Sequence, residues 1–407
     1  MSLIRPFQGL RPAKGHGDEI LAPPYDVLSS AEAREQVQGK PHSFLHISKP
    51  EIDLPEDMSP YDPQVYAMAA SNMAKLVDKK LLQQEETQSY YAYRLTWGDV
   101  VMTGLVAAAS VADYDTNRIR KHEYTRPVKE DDRVRQIEAV NAQTGPVMMA
   151  YPDAPHLDAI IKQATVSEAD MDVTGADGVR HQLWVISASD TIDALSDGFE
   201  ALPAVYIADG HHRSASASRI SASRGGDADA IHHSFLSVIF PHHEMKILDY
   251  NRLVKDLNGH SVEELIASIG KSFNVSKSDH PVKPTKVGQF GMYVAGQWYE
   301  LTVDPQLIPQ DPVKSLDISL LSAHLIEPFL GVSDPRKDER IDFVGGIRGV
   351  EELSKRVDNG DWEIAFSIYA TSMDALMAVA ESGQVMPPKS TWFEPKLADG
   401  VVSLVFD

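Results

Sequence analysis

Val205-Tyr206-Ile207-Ala208-Asp209-Gly210-His211-His212-Arg213-Ser214 is the stretch on which the reading of this chain turns. Its first four residues form an apolar run that reads as a short buried strand. Ala215-Ser216-Ala217-Ser218-Arg219-Ile220 follows, small and polar enough to open a helix. An acid, a glycine, two imidazoles and a guanidinium therefore sit on one strand-to-helix turn. A helix N-terminus offers unpaired N–H groups and a partial positive charge, and so favours phosphate. Gly210 lets backbone approach a ligand closely. Arg213 grips phosphate with a two-pronged hydrogen bond, and His211, His212 and Ser214 add polar contacts. Asp209 suits Mg²⁺, which takes a carboxylate together with substrate phosphates. The competing reading is a capped helix carrying a surface His pair.

Outward from this turn, His181 to Ser187 and Ala204 to Ala208 read as strands flanking a helix from Thr191 to Glu200. That β-α-β order predicts a partly parallel α/β sheet. Tyr90 to Thr96 and Val100 to Val111 read as a hairpin about Gly98-Asp99, and Ser43 to Ile47 and Ser234 to Phe240 as strands. Residues 62–82 and 134–143 have helical spacing. The pattern restarts near 252, with a second hairpin around Gly296-Gln297, helices over 314–329 and 349–356, and a last strand over Val401 to Phe406. The expected division is an N-terminal domain over 1–250 and an α+β domain over 251–407.

The chain has 407 residues, 43% of them hydrophobic and 24% charged, which is ordinary for a globular protein. It has no Cys, which excludes disulfides, thiolate zinc sites and a cysteine nucleophile. The net charge is 38 − 59 = −21, a poor match for nucleic acid, whose binding rests on Lys and Arg against phosphates. No apolar run approaches membrane-spanning length, and the first residues lack a signal-peptide core. A cytoplasmic protein with no membrane or nucleic-acid partner is expected.

Three further constellations carry chemistry. Ile119-Arg120-Lys121-His122-Glu123-Tyr124-Thr125-Arg126 places Glu123 between a His and an Arg, as a general base requires if burial raises its pKa; the alternative is a solvated charge ladder. Met386 through Lys396 is a rigid Pro-rich loop whose Lys389 and Lys396 can reach an anion, or whose Trp392 and Phe393 simply anchor a core. Three adjacent His pairs, 211–212, 232–233 and 242–243, leave zinc open, although no HExxH supports it. No P-loop, GxGxxG or GxSxG signature is present.

Ala22-Pro23-Pro24-Tyr25-Asp26-Val27, His122 through Arg126, Ile207 through Arg213, Tyr250-Asn251-Arg252 and Met386 through Leu397 together resemble the prokaryotic family called domain of unknown function 1015. The Asp-Gly-His-His-Arg turn also resembles the phosphate-binding turn of the ParB/sulfiredoxin superfamily, and within it the free-serine kinases, which move a phosphoryl group from ADP or ATP to serine. That resemblance implies an α/β (mixed α+β) fold with a ParB/sulfiredoxin-like catalytic core and a second α+β domain. It implies Mg²⁺ with ADP or ATP, Asp209 as metal-linked acid, and His211, His212 and Arg213 on the phosphates. Glu123 would be the base. Beyond the resemblance, His211 is also expected to be catalytic, and Gly210, Ser214, Arg126, Lys389 and Lys396 are expected to complete the phosphate site. Sulfiredoxin chemistry, which needs a Cys, is excluded. The expected function is phosphotransfer between a nucleotide and free serine or O-phosphoserine in serine metabolism. The alternatives are a ParB-like nucleotide-binding regulator without turnover and a metal-dependent phosphatase.

Overall fold

The computed structural model describes residues 2–406. The chain is mixed α/β and divides into two compact units, Met1–Met245 with Pro395–Asp407, and Lys246–Glu394. The last segment thus belongs with the first unit, whereas the sequence assigned it to the C-terminal domain.

The first unit is built on a nine-stranded sheet: β1 (Ile4–Arg5), β2 (Tyr90–Trp97), β3 (Val100–Ser110), β4 (Ile119–Arg120), β5 (Val147–Tyr151), β6 (Met171–Thr174), β7 (Arg180–Ile186), β8 (Val205–Asp209) and β9 (Ser234–Pro241). Their order is β4-β8-β5-β9-β3-β2-β7-β6, with β1 paired to β3. Two pairs are parallel, β8 with β4 and β9 with β5, and the others are antiparallel. The β-α-β order of the sequence is present as strand, helix α4 (Ser189–Glu200) and strand, yet β7 and β8 are not neighbours, so they make no parallel pair. The parallel partner of β8 is instead the short strand before the His122 loop.

Helices α1 (Pro63–Asp78), α2 (Pro127–Val140), α3 (Pro155–Ala164) and α5 (His211–Arg224) complete the elements that position the site. One face of the sheet packs Tyr90, Met149, Tyr151, Trp184, Val205, Ile207 and Phe235 against Leu157 and Ile161 of α3, Leu195 and Phe199 of α4, and Ala217 of α5. Fully burying side chains of this size is worth about 1.5–3 kcal/mol each, so this core holds the strand ends that carry the chemistry. Helix α2 starts earlier than the expected 134, because Pro127 occupies its first turn, where a missing N–H costs nothing. The strand expected over Ser43 to Ile47 is instead a helical turn, Leu45–Ser48. Its Phe44, Leu45 and Ile47 are all buried in one small core, and an apolar run this short does not distinguish strand from helix.

Residues 395–406 are stitched into the first unit by main-chain bonds. Leu10 and Ser403 exchange N–H···O bonds of 2.9 and 2.7 Å, and Ala22 and Asp399 exchange bonds of 3.1 and 2.9 Å. Only Leu404–Val405 is a strand, antiparallel to Ala142–Gln143. Below them, the fully buried Tyr93 hydroxyl lies 2.7 Å from Nδ1 of His181 and accepts from the Ala398 N–H at 3.4 Å.

The second unit is an antiparallel sheet of β10 (Tyr250–Val254), β11 (Phe273–Ser278), β12 (Gln289–Val294), β13 (Gln297–Val303), β14 (Ile341–Gly345) and β15 (Ile364–Ile368), ordered β11-β13-β12-β15-β10-β14. The helix expected over 314–329 runs from Asp317 to Leu330 with a π-turn at Ser322–Ile326. Pro328 lies just beyond the π-turn and cannot donate into the helical ladder.

Candidate functional site

Strands β4 and β8 run parallel and end on the same side of the sheet. In α/β sheets, ligands gather outside such carboxyl ends. The loop after β4 supplies His122 and Glu123, and the turn after β8 supplies Asp209 to Arg213. Between Ile207 and Asp209 the register against β5 slips by one residue, a bulge that re-aims the end of the strand. Gly210 then caps α5 at φ +101°. No side chain caps this helix, and among the described residues the N–H groups of His211 and His212 donate to no partner.

An L-residue is strained at the Gly210 dihedral, and a Cβ there would lie 3.2 Å from Nε of Arg213 and 3.3 Å from Cα of Val147. Gly210→Ala should therefore cost about 1–3 kcal/mol of stability. Urea unfolding of the variant checks this, and an unchanged midpoint would contradict the backbone geometry.

Around the turn, charges are paired across long sequence distances. Nζ of Lys396 lies 3.0 Å from Oδ2 of Asp209. Burial alone would raise the Asp209 carboxyl, but Lys396 and Arg213 outweigh it and hold the group well below the usual carboxylate range. Arg213 donates to the Pro146 carbonyl. Burial opposes its charge, while Asp26, Asp209, Tyr25 and Asp399 more than restore it. Gly145 leaves room for this arrangement: a Cβ there would lie 3.4 Å from Cδ of Arg213 and 3.5 Å from Oδ1 of Asp399. Beside them, the Arg133 guanidinium stacks 4.0 Å over the Tyr25 ring and pairs with Asp132 at 2.6 Å.

Asp399 is 1% exposed, and neither of its oxygens has a hydrogen-bond partner among the described residues. Burial raises its carboxyl to about 7 against the opposing pull of Arg213. Between its ordinary value of 3.8 and about 7, the folded protein holds a proton that the unfolded chain has released. Stability contributed by this group therefore falls as pH rises through that window. Asp399→Asn should gain on the parent as pH rises from about 4 to about 8. Urea midpoints of both proteins at each end test this, and a pH-independent difference would refute it.

The two imidazoles nearest the turn are neutral. Burial pushes His122 down to about 4 although it has a hydrogen bond to the Ile207 backbone. Burial, with the neighbouring His122, pushes His211 well below its ordinary value. The rings meet edge-on with centroids 4.4 Å apart. Nε2 of His211 accepts the His122 N–H at 3.4 Å, and its Nδ1 lies 3.9 Å from Oε2 of Glu123. Glu123 itself has a half-exposed side chain (51%), so it faces solvent while touching the buried pair.

Of the residues the sequence singled out, Glu123, Asp209, Gly210, His211, His212, Arg213 and Lys396 come together in the first unit. Nε2 of His212 accepts the Arg126 N–H at 3.1 Å, which fixes the start of α2 over the first turn of α5. The Arg126 side chain is exposed. Ser214 is fully buried: its N–H donates to the Gly210 carbonyl at 3.1 Å and its hydroxyl to the His211 carbonyl at 3.0 Å, leaving no donor for a phosphate. Lys389 lies in the second unit, with Nζ 5.6 Å over the Tyr250 ring and its carbonyl accepting from Arg252 at 2.8 Å. The loop read as one anion-binding segment is thus divided between units. Sequence reasoning missed Asp399, which has no local motif, and gave His122 no role although it adjoins Glu123.

Residues 4–319 match the family described as protein of unknown function, DUF1015. The chain belongs to this family. No curated protein matches it. Among solved structures, this DUF1015 chain is similar to a mutant free serine kinase in complex with ADP, with 13% identity, a TM-score of 0.34, and 68% of this chain and 84% of that chain covered. It is also similar to a conserved hypothetical protein from Pyrococcus furiosus (14%, 0.33, 70% and 90%). A third is SbnI with a C-terminal truncation from Staphylococcus aureus (11%, 0.37, 72% and 85%). Likenesses this slight do not assign chemistry to the DUF1015 site. Among its described residues, no helix is long and apolar enough to cross a membrane.

Proposed function

We propose that the first unit is a Mg²⁺-dependent phosphotransferase acting between a nucleotide and a small hydroxy-amino acid, most simply free serine and O-phosphoserine. The observation that carries this reading is the convergence of Glu123, His211, Asp209, Arg213 and Lys396 on one uncapped helix start opened by Gly210. Phosphoryl transfer needs chiefly positioning and charge neutralisation, and these groups supply both. The free N–H groups of His211 and His212, with Arg213 and His212, receive phosphate oxygens. Lys396 adds a point charge, and Arg126, Gly210 and the first turn of α5 frame the entry. Asp209 stays ionised and fits a Mg²⁺ that brings water and nucleotide phosphates as its other ligands. When bound, the ion supplies neutralisation of charge on the transferring oxygens. Glu123 accepts the acceptor's hydroxyl proton as the new O–P bond forms and the bond to the nucleotide breaks. Run in reverse, the same groups return the phosphoryl group from O-phosphoserine. Soluble substrates of this kind accord with a cytoplasmic enzyme without membrane or nucleic-acid partners.

Phosphorus NMR of the purified protein with Mg²⁺ tests the reading, with serine plus ADP or ATP in one set and O-phosphoserine plus AMP or ADP in another. A new phosphomonoester, or nucleotide-dependent loss of phosphoserine, is the expected result. Phosphate released without nucleotide would replace the reading with a phosphatase. Nucleotide binding without turnover would replace it with a regulatory module.

A further inference from the structure

We infer that His122, Glu123 and His211 form a binding site for one transition-metal dication of the zinc or manganese class, distinct from the Mg²⁺ that travels with a nucleotide. One ligand atom from each of the three lies within 4.8 Å of the other two. Bonds from a metal to nitrogen or oxygen of about 2.0–2.2 Å need ligands roughly 3.3 Å apart, so only a small contraction is required. Glu123, the half-exposed member, is placed to provide it and to leave an entry path from solvent.

The donor chemistry fits. His122 is 2% exposed, hydrogen-bonds the Ile207 backbone through its ring, and leaves Nδ1 buried without a partner. A ring N–H held by a carbonyl with the other nitrogen's lone pair free is the usual condition of a metal-ligating histidine. His211 is 4% exposed, so its ring is held in place by packing. Its contact with the His122 N–H, 3.4 Å long, is a weak bond to give up. Two imidazoles and one carboxylate suit zinc, manganese or iron, whereas Mg²⁺ prefers oxygen alone. Three protein ligands also leave a position open for water or a substrate oxygen.

The site shares Glu123 and His211 with the phosphotransfer reading but does not rest on it, and where both hold it acts on that reaction as a control. A cation on Glu123 and a proton arriving there exclude one another, so the metal withdraws the base.

The test uses the full chain, stripped with chelator, in a His243→Ala background. That substitution removes the exposed Asp153–His242–His243 cluster as a competing site. Zn²⁺ is titrated by calorimetry and Co²⁺ by its visible absorption, with no turnover measured. One saturable Zn²⁺ per chain is expected, with affinity lowered at least about tenfold by Glu123→Gln and by His122→Ala. Glu123→Gln alters a half-exposed side chain and keeps the test valid if the buried His122→Ala variant fails to fold. Absence of saturable binding, or parental affinity in Glu123→Gln, would overturn the assignment.

Discussion

Glu123→Gln should slow serine-dependent phosphotransfer by about 10²–10⁴, the usual contribution of a positioned general base. The amide keeps the size and hydrogen-bonding reach of the carboxylate but cannot take a proton. Because the Glu123 side chain is half exposed, its loss should leave the thermal midpoint almost unchanged. The effect should fall on kcat, with the nucleotide KM near its parental value, since the proposed phosphate ligands lie at the other strand end. Steady-state kinetics, with circular dichroism as a fold control, measures all of this. A loss of less than about tenfold would remove Glu123 as the proton acceptor.

Arg213→Met should be nearly as severe, for two separable reasons. On the proposed reading the guanidinium is the forked donor to phosphate, and losing such a donor costs about 10²–10³ in rate. It is also the cation that Asp26, Asp209 and Asp399 share. Its removal leaves carboxylates crowded with less compensation, which destabilises the fold. Arg213→Lys separates the two effects, because lysine returns the charge without the fork. It should recover most of the lost thermal stability and little of the lost kcat/KM. Equal recovery of both would mean that Arg213 serves the fold alone.

Much of this arrangement was legible in the sequence because its parts are local. The strand, Gly210 and helix over 205–220 follow from an apolar run, a turn residue and small helix formers, and the structure has them at Val205–Asp209 and His211–Arg224. Both hairpins followed from alternation around Gly98 and Gly296. What sequence could not supply was pairing at a distance. Nothing near Ile119-Arg120 marks it as the parallel neighbour of β8, because two residues carry no periodicity. Lys396 and Lys389 share one Pro-rich stretch, yet the unit boundary falls between them. Asp399 looks like an ordinary turn acid before Gly400, and its burial comes from residues near 22, 48 and 213. Ser214 went the other way: a hydroxyl one residue beyond the Arg was read as a ligand, whereas the first helical turn claims it.

The route of the chain has a consequence for synthesis on the ribosome. Residues 246–394 form a body inserted into another, and the strand that follows pairs with Ala142–Gln143 across some 260 positions. At roughly 5–20 residues per second, the insertion takes on the order of ten seconds to emerge. During that interval the growing first body exposes the edge that residues 403–405 will cover, and Asp209 waits without Lys396. The emerging second body, whose sheet pairs only within itself, can fold in the meantime. Pairing of Asp209 with Lys396 therefore waits for the segment after the insertion, and a chain that stops before it lacks the lysine on which the charge balance of the turn depends.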